Sequence, residues 1–400
     1  MQPAPFISSH QEQQIRFCAA PDGVQIAYAT VGTGPVLVKA ANWLSHLEFD
    51  WNSPVWRHWL AGLSAHHTLV RYDERGCGLS DWDVDEFSLE AWVRDLETVV
   101  DTLGLERFPL LGISQGGPVA IAYAVRHPEK VSHLILYGTY ACGLLKKRNP
   151  TPEQLEELET LLRLIKVGWG RDNPAFRQVF TTFFMPEATT EQMYGFNDLQ
   201  RVSTSPENAV KFRTAFSQLD VRELATRVTT PTLVLHARDD AAEPFEEGRR
   251  LAALIPGAQF VPLESRNHIL LGNEPAWPRF LAEVDRFLGE PAPAESGRGE
   301  QRAASLGQYQ EYAQMLETGL GAAPEQETTA LGEAARALRF PTYTVERPRH
   351  NLPAGCGHAT GARTGGELAG GATIPRDCRR DRAQPRLSRN RTAGCAGAPA

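Results

Sequence analysis

The 400-residue chain has no apolar run of about 18 residues, so the sequence predicts no membrane-spanning helix. Its first residues, MQPAPFISSHQEQQIRF, have neither a basic start nor an apolar stretch. They argue against a secretory signal and make the cytoplasm the expected compartment. Cysteine is scarce: Cys18, Cys77, Cys142, Cys356, Cys378 and Cys395 contain no CxxC pair. Their spacing fits neither a zinc site nor a small disulfide framework, and reduced thiols are expected. No His, Asp and Glu cluster has metal-ligand spacing, so neither a metal nor another cofactor is predicted. An excess of positive charge is also missing. Residues 1–290 carry 27 Lys and Arg against 37 Asp and Glu, and the whole chain has a formal charge of −7. A mildly acidic body is not expected to take nucleic acid as its partner.

What is there is ordinary globular material, 42% hydrophobic and 22% charged. Short aliphatic runs at residues 25–31, 36–40, 68–72, 109–113, 131–137, 232–236 and 259–262 read as strands, with a weaker one at 15–19. Helical patterns lie between most of them, at 55–64, 89–103, 116–126, 244–254 and 277–288. Alternation of this kind predicts an α/β fold with a mostly parallel sheet covered on both faces. Pro21-Asp22-Gly23 joins the first two strands as a hairpin turn, so the sheet should begin antiparallel. Residues 144–229 break the rhythm with helical patterning only, and TPEQLEELETLLRLIKVGW has a Thr-Pro-Glu helix start. Further helical pieces surround 176–184 and 207–216. An interval this long is too large for a loop and reads as a helical lid between the two core segments, 13–143 and 230–290. Beyond it the composition changes. A Pro/Gly/Ala linker at 291–307 is expected, then a helical hairpin at 308–340, then an Arg/Gly/Ala-rich tail at 341–400 that is predicted to be disordered.

The local signal with chemical content is Gly112-Ile113-Ser114-Gln115-Gly116, between an aliphatic run and an Ala-rich helical run. A strand–turn–helix setting is what a nucleophile elbow requires. The two glycines leave room where a Cβ would meet neighbouring backbone, and the helix N-terminus presents free N–H groups to the reacting centre. A serine hydroxyl needs a base within reach, and the base needs an orienting acid. Downstream, a strand ends at Asp239 and Asp240, and His268 follows the last strand. The pentapeptide alone is a weak signal; the chain order Ser, acid, His strengthens it. His236 lies inside a strand and reads as structural, and Cys77 reads as a small buried filler.

These residues, with the turn RYDERGCGLSD (Arg71–Asp81), resemble the α/β-hydrolases of the lid-bearing group that contains esterases, lactonases and cofactor-free haloperoxidases. The resemblance covers about residues 13–290 and implies an eight-stranded sheet with the lid after strand 6. The family acid commonly stands four residues before a proline, which selects Asp240, with Pro244, over Asp239. The resemblance implies a triad of Ser114, Asp240 and His268. The chain departs from the family where His-Gly usually follows the third strand: Ala40 and Ala41 stand there. Alignment makes the oxyanion donors the main-chain N–H groups of Asn42 and Gln115. Trp43, beside that loop, is the expected pocket wall. The implied reaction is hydrolysis of a short to medium acyl or aryl ester through an acyl-enzyme, with lactone hydrolysis and perhydrolysis using the same groups.

A different class of reading comes from the C-terminal third. QYQEYAQMLETGLGAAPEQETTALGEAARAL is similar to the last helices of the TPR-like domain of bacterial transcriptional activators. RPRHNLPA, which comes next, resembles the linker that precedes an ATPase domain in such regulators. In that reading the front domain is a ligand sensor and residues 355–400 are truncated or out-of-frame coding. A pure sensor need not keep Ser114, Asp240 and His268 together.

Overall fold

A computed structural model describes residues 12–147 and 149–289. The expected linker, hairpin and tail, and with them Cys356, Cys378 and Cys395, lie outside the described residues. Eight strands form one sheet: β1 (Gln14–Ala19), β2 (Gln25–Val31), β3 (Val36–Lys39), β4 (Thr68–Tyr72), β5 (Phe108–Ile113), β6 (Val131–Tyr137), β7 (Thr232–Ala237) and β8 (Gln259–Leu263). Their order is β1-β2-β4-β3-β5-β6-β7-β8. The β1–β2 and β2–β4 pairs are antiparallel, and every later pair is parallel. All eight expected strands form, within about two residues of the sequence boundaries. Period-2 and continuous aliphatic runs are local signals, and the central strands bury both faces: β7 is buried at every position.

Helices cover the sheet. Those of the core are α1 (Leu47–Asn52), α2 (Arg57–Ser64), α3 (Leu89–Thr102) and α4 (Gly116–Arg126), then α10 (Phe245–Leu254) and α11 (Ala276–Leu288). Between β6 and β7 the chain forms α5 (Pro152–Gly168), α6 (Ala175–Phe184), α7 (Thr190–Ser203), α8 (Pro206–Ser217) and α9 (Arg222–Thr226), with no named strand. The sequence pattern anticipated α5, α6 and α8 but not α7, α9 or α1. Helix α1 has only six residues, and its N-cap is a histidine whose Nδ1 accepts the Phe49 N–H. The inserted helices start where short polar side chains close them. Thr151 with Gln154 and Thr189 with Gln192 form capping boxes, and Ser205 caps α8 ahead of Pro206. Each such cap satisfies N–H groups that the first turn leaves without a helical partner.

The core is continuous from the sheet into the inserted helices. Trp59 packs on Trp277, Phe280 and Tyr137 at one face of the sheet. Trp43, after β3, stacks on Trp169 of the insertion with ring centroids 5.4 Å apart and meets Phe216 of α8 edge-on at 5.7 Å. Buried aromatic side chains are each worth about 1.5–3 kcal/mol of transfer free energy. The insertion is therefore fastened to the strand ends by packing, and the connection that follows β6 is drawn across the end of the sheet where Ser114 lies.

Candidate active site

Ser114 follows β5 directly and stands one residue before the N-cap of α4. Its N–H donates to the Tyr137 carbonyl at 2.9 Å, and its own carbonyl accepts the Gly117 N–H at 3.0 Å and the Thr139 hydroxyl at 2.5 Å. The backbone is forced into φ 50°, the one positive value of a non-glycine residue among those described. Such a conformation costs on the order of 1–3 kcal/mol and persists only where surroundings hold it. Gly116 is required for the same turn: a Cβ there would lie 2.6 Å from the Ala41 carbonyl oxygen.

Asp240 and His268 come together from the ends of β7 and β8. His268 Nδ1–H donates to Asp240 Oδ2 at 2.7 Å, while Asp240 Oδ1 accepts the N–H groups of Ala242 and Glu243 at 2.9 Å each. Asp239 is exposed and its N–H bonds the Ser265 carbonyl, away from this pair. His268 Nε2 is buried and has no hydrogen-bond partner among the described residues. Burial pulls the His268 pKa down, but the Asp240 charge and hydrogen bond outweigh it and hold the imidazole above its ordinary value. His236 lies behind the pair, its Nε2 donating to the Glu243 carbonyl at 2.9 Å and standing 3.6 Å from Asp240 Oδ2. Burial depresses its pKa, in keeping with a neutral structural histidine.

The turn after β6 runs between the serine and the acid–imidazole pair. Tyr137 and Thr139 hold Ser114, and Gly138 between them packs on the pair. A Cβ on Gly138 would sit 3.2 Å from His268 Cε1, and its φ is 55°. No sequence signal marked this glycine. Nor was Glu274 marked, which fixes the His268 loop: its carboxylate accepts Ser265 Oγ–H at 2.5 Å, the Leu271 N–H at 2.5 Å and Asn267 Nδ2–H at 3.3 Å. The loop is pinned from the other side by Trp59 Nε1–H and His58 Nε2–H, both donating to the Leu270 carbonyl.

The loop after β3 faces the elbow, but not through Asn42. The Ala41 carbonyl points at Gly116, and in a trans peptide the following N–H points the opposite way. The Asn42 N–H is thus turned from the elbow, and its side chain accepts from buried Lys39. The loop N–H directed to the elbow is that of Trp43, which donates to Gln115 Oε1 at 3.2 Å. The alignment without His-Gly set the register one residue short. The Gln115 N–H, at the α4 N-terminus, has no backbone partner among the described residues. Behind the loop, the RYDERG turn is structural: Arg75 pairs with Asp95, and Asp73 accepts the Leu47 and Leu79 N–H groups. Cys77 is wholly buried there, its Sγ 3.2 Å from the Ser45 carbonyl, and burial lifts its thiol pKa well up.

A cleft of about 690 Å³, solvent at its mouth included, opens over Ser114. Trp43, Gln115 and Tyr140 line it from the core side, and Phe180, Phe183, Phe184, Leu161 and Phe216 from the inserted helices. Phe184 also packs on His268: its ring meets the imidazole edge-on at 5.4 Å, and its carbonyl accepts the main-chain N–H of His268 at 2.9 Å. The cleft is less apolar than the sequence implied, because Glu157, Arg213 and Glu243 line it too.

The alpha/beta hydrolase fold family matches residues 45–275, more than half of the chain, and the chain belongs to that family. Among its relatives is RutD of Pseudomonas savastanoi pv. phaseolicola, which carries the name of a carbamate hydrolase. It is 26% identical over 223 residues, 54% of this chain and 82% of the relative. The AB hydrolase superfamily protein YisY of Bacillus subtilis is 28% identical over 50% of this chain and 74% of its own length. An esterase from Exiguobacterium antarcticum has the same fold, with a TM-score of 0.59 over 69% of this chain and all of that one at 24% identity. The enol-lactonase of Burkholderia xenovorans LB400 is similar at 25% identity and a TM-score of 0.54, covering 69% of this chain and all of its own. Among the described residues no helix is long and apolar enough to cross a membrane.

Proposed function

We propose that the protein is a serine hydrolase that cleaves carboxylic esters through an acyl-enzyme. Ser114 Oγ attacks the ester carbonyl while His268 Nε2 takes its proton. Asp240 keeps the imidazole in the Nδ1–H tautomer and stabilises its charged form. The N–H groups of Trp43 and Gln115 hold the oxyanion, the Gln115 side chain giving up its contact with the Trp43 N–H as the substrate carbonyl enters. His268 then passes the proton to the leaving alcohol, and water repeats the attack on the acyl-enzyme. The helices inserted after β6 act as a cap that supplies the apolar wall of the cleft.

The observation that carries this reading is the His268–Asp240 hydrogen bond with a buried, unpartnered Nε2, joined through the Tyr137–Thr139 turn to a serine held at positive φ. A regulator that only binds ligand has no use for a strained serine together with an oriented acid–imidazole pair. Lactone and carbamate carbonyls call on the same groups, and relatives named for both belong in the substrate panel. The test is release of p-nitrophenol from acetate, butyrate and octanoate esters by the wild-type protein and Ser114→Ala. Turnover that falls by at least about 10³-fold in the variant is expected. Equal rates in the two proteins, or none on esters, lactones and carbamates, would overturn the proposal in favour of a ligand-binding domain.

A further inference from the structure

The cleft contains polar groups that the hydrolytic mechanism does not use. Arg213, on α8, is the one cation among the residues that line it. It is half-buried, yet it makes no hydrogen bond or ion pair among the described residues. The buried arginines are all engaged, Arg71 with Asp50, Arg75 with Asp95 and Arg177 with the Trp169 carbonyl, and half-buried Arg94 pairs with Glu86. Tyr140 is 5% exposed and lines the same cleft, and its hydroxyl makes no hydrogen bond among the described residues. Tyr140, Arg213 and Glu243 line one cleft, and none is bonded to another among the described residues. A half-buried guanidinium left unpaired in this way is an unspent donor set, with a planar fork that matches a carboxylate.

We propose that the substrate carries a carboxylate at the end of its acyl chain remote from the scissile carbonyl, and that Arg213, aided by the Tyr140 hydroxyl, binds it. This rests on the ester-hydrolase reading of Ser114 and names its substrate class: hemiesters of dicarboxylic acids or lactones with a carboxylate side arm. The two acidic groups in the cleft do not reverse the preference. Glu157 is exposed at the mouth. Glu243 is faced by Arg213, His268, Asp240 and Lys147, and desolvation pushes its pKa up to about 7, so below that it is protonated and adds a donor. The aromatic side chains that line the cleft together with Ser114 and Arg213 offer apolar surface to the methylene chain.

The experiment compares mono-p-nitrophenyl adipate with two esters of matched length, p-nitrophenyl hexanoate and p-nitrophenyl 6-aminohexanoate, on the full chain. Wild type should favour the adipate in kcat/KM. Arg213→Gln should reduce the adipate-to-hexanoate ratio about 10–100-fold, mainly through the adipate KM, with Arg213→Lys retaining part of it. Hexanoate turnover in the same preparation reports that the variant is folded. Calorimetry of monomethyl adipate on Ser114→Ala, with and without Arg213→Gln, reads recognition without catalysis. Ester turnover with an unchanged ratio in Arg213→Gln, or preference for the aminohexanoate, would overturn the inference and leave the hydrolase standing. Arg213-dependent adipate binding with no turnover of any ester would do the reverse.

Discussion

His268 is the residue on which most of the site converges, and its surroundings set a sign for pH dependence. Asp240 holds the imidazole above its ordinary pKa, near 6.5, against the opposing effect of burial. In the proposed mechanism the base must be neutral to accept the serine proton, so kcat/KM should fall as pH drops through a value above 6.5. Asp240→Asn removes the carboxylate charge, moves that limb to lower pH and cuts kcat by about 10²–10⁴-fold; a pH–rate profile of both proteins reads the two effects. A limb that stays in place would show that Asp240 does not govern the imidazole. Glu274 works one step further out, as an acceptor for three groups of the His268 loop. Glu274→Ala leaves them unsatisfied and should cost about 1–3 kcal/mol in urea unfolding, with a rate loss that acetate or imidazole does not restore. The acid–imidazole pair was legible in the sequence because its members sit at strand ends in a fixed chain order. Glu274 was not, because an exposed-looking glutamate in a loop has no pattern until the loop has folded around it.

Elements differ in how much of their placement is local. The inserted helices declare their starts through Thr151, Thr189 and Ser205, whose hydroxyls accept N–H groups of the first turn. Thr189→Ala, which opens the α7 capping box, should lower stability by about 1 kcal/mol in chemical denaturation, and Thr189→Ser should recover most of it. Helix α7 escaped the sequence reading despite that cap, since its apolar residues are spaced by tertiary demand: Phe196 and Leu199 pack into the core while Tyr194 is exposed. The β6–α5 connection contacts both Ser114 and His268. Gly138→Ala puts a methyl 3.2 Å from the His268 ring at a φ of 55°, and it should depress kcat more than it depresses the melting temperature. Equal losses in both would make Gly138 a residue of stability alone.

For the molecule as a whole, a half-buried carboxyl that loses hydration on folding imposes a stability cost at neutral pH. Glu243 has its pKa raised to about 7 by desolvation, so the folded state binds a proton that the unfolded chain releases near its ordinary value of about 4.3. Its contribution to stability is full below that ordinary value and is lost as pH rises toward 7. Glu243→Gln should flatten this segment of the stability–pH curve, with a difference on the order of 1–2 kcal/mol between pH 5 and pH 8 after allowance for solvent screening. Urea midpoints of the two proteins at those pH values check it.

The division between sequence and tertiary structure follows from the range of the forces involved. The eight strands, the serine turn and the order Ser114, Asp240, His268 were determined by the chain itself, because strand patterning, glycine at a tight turn and polar residues at strand ends are properties of neighbours. Tertiary structure alone decided that Trp43 rather than Asn42 presents its N–H to the elbow, since carbonyl direction depends on the contact of Ala41 with Gly116. It alone decided that Arg213 and Tyr140 share a cleft with Ser114. They lie 26 and 99 residues from the serine in sequence, Tyr140 in the turn after β6 and Arg213 on α8. Which face of α8 meets that cleft is set by the packing of Phe212 and Phe216 against Trp43, an arrangement whose free energy comes from area buried between distant segments.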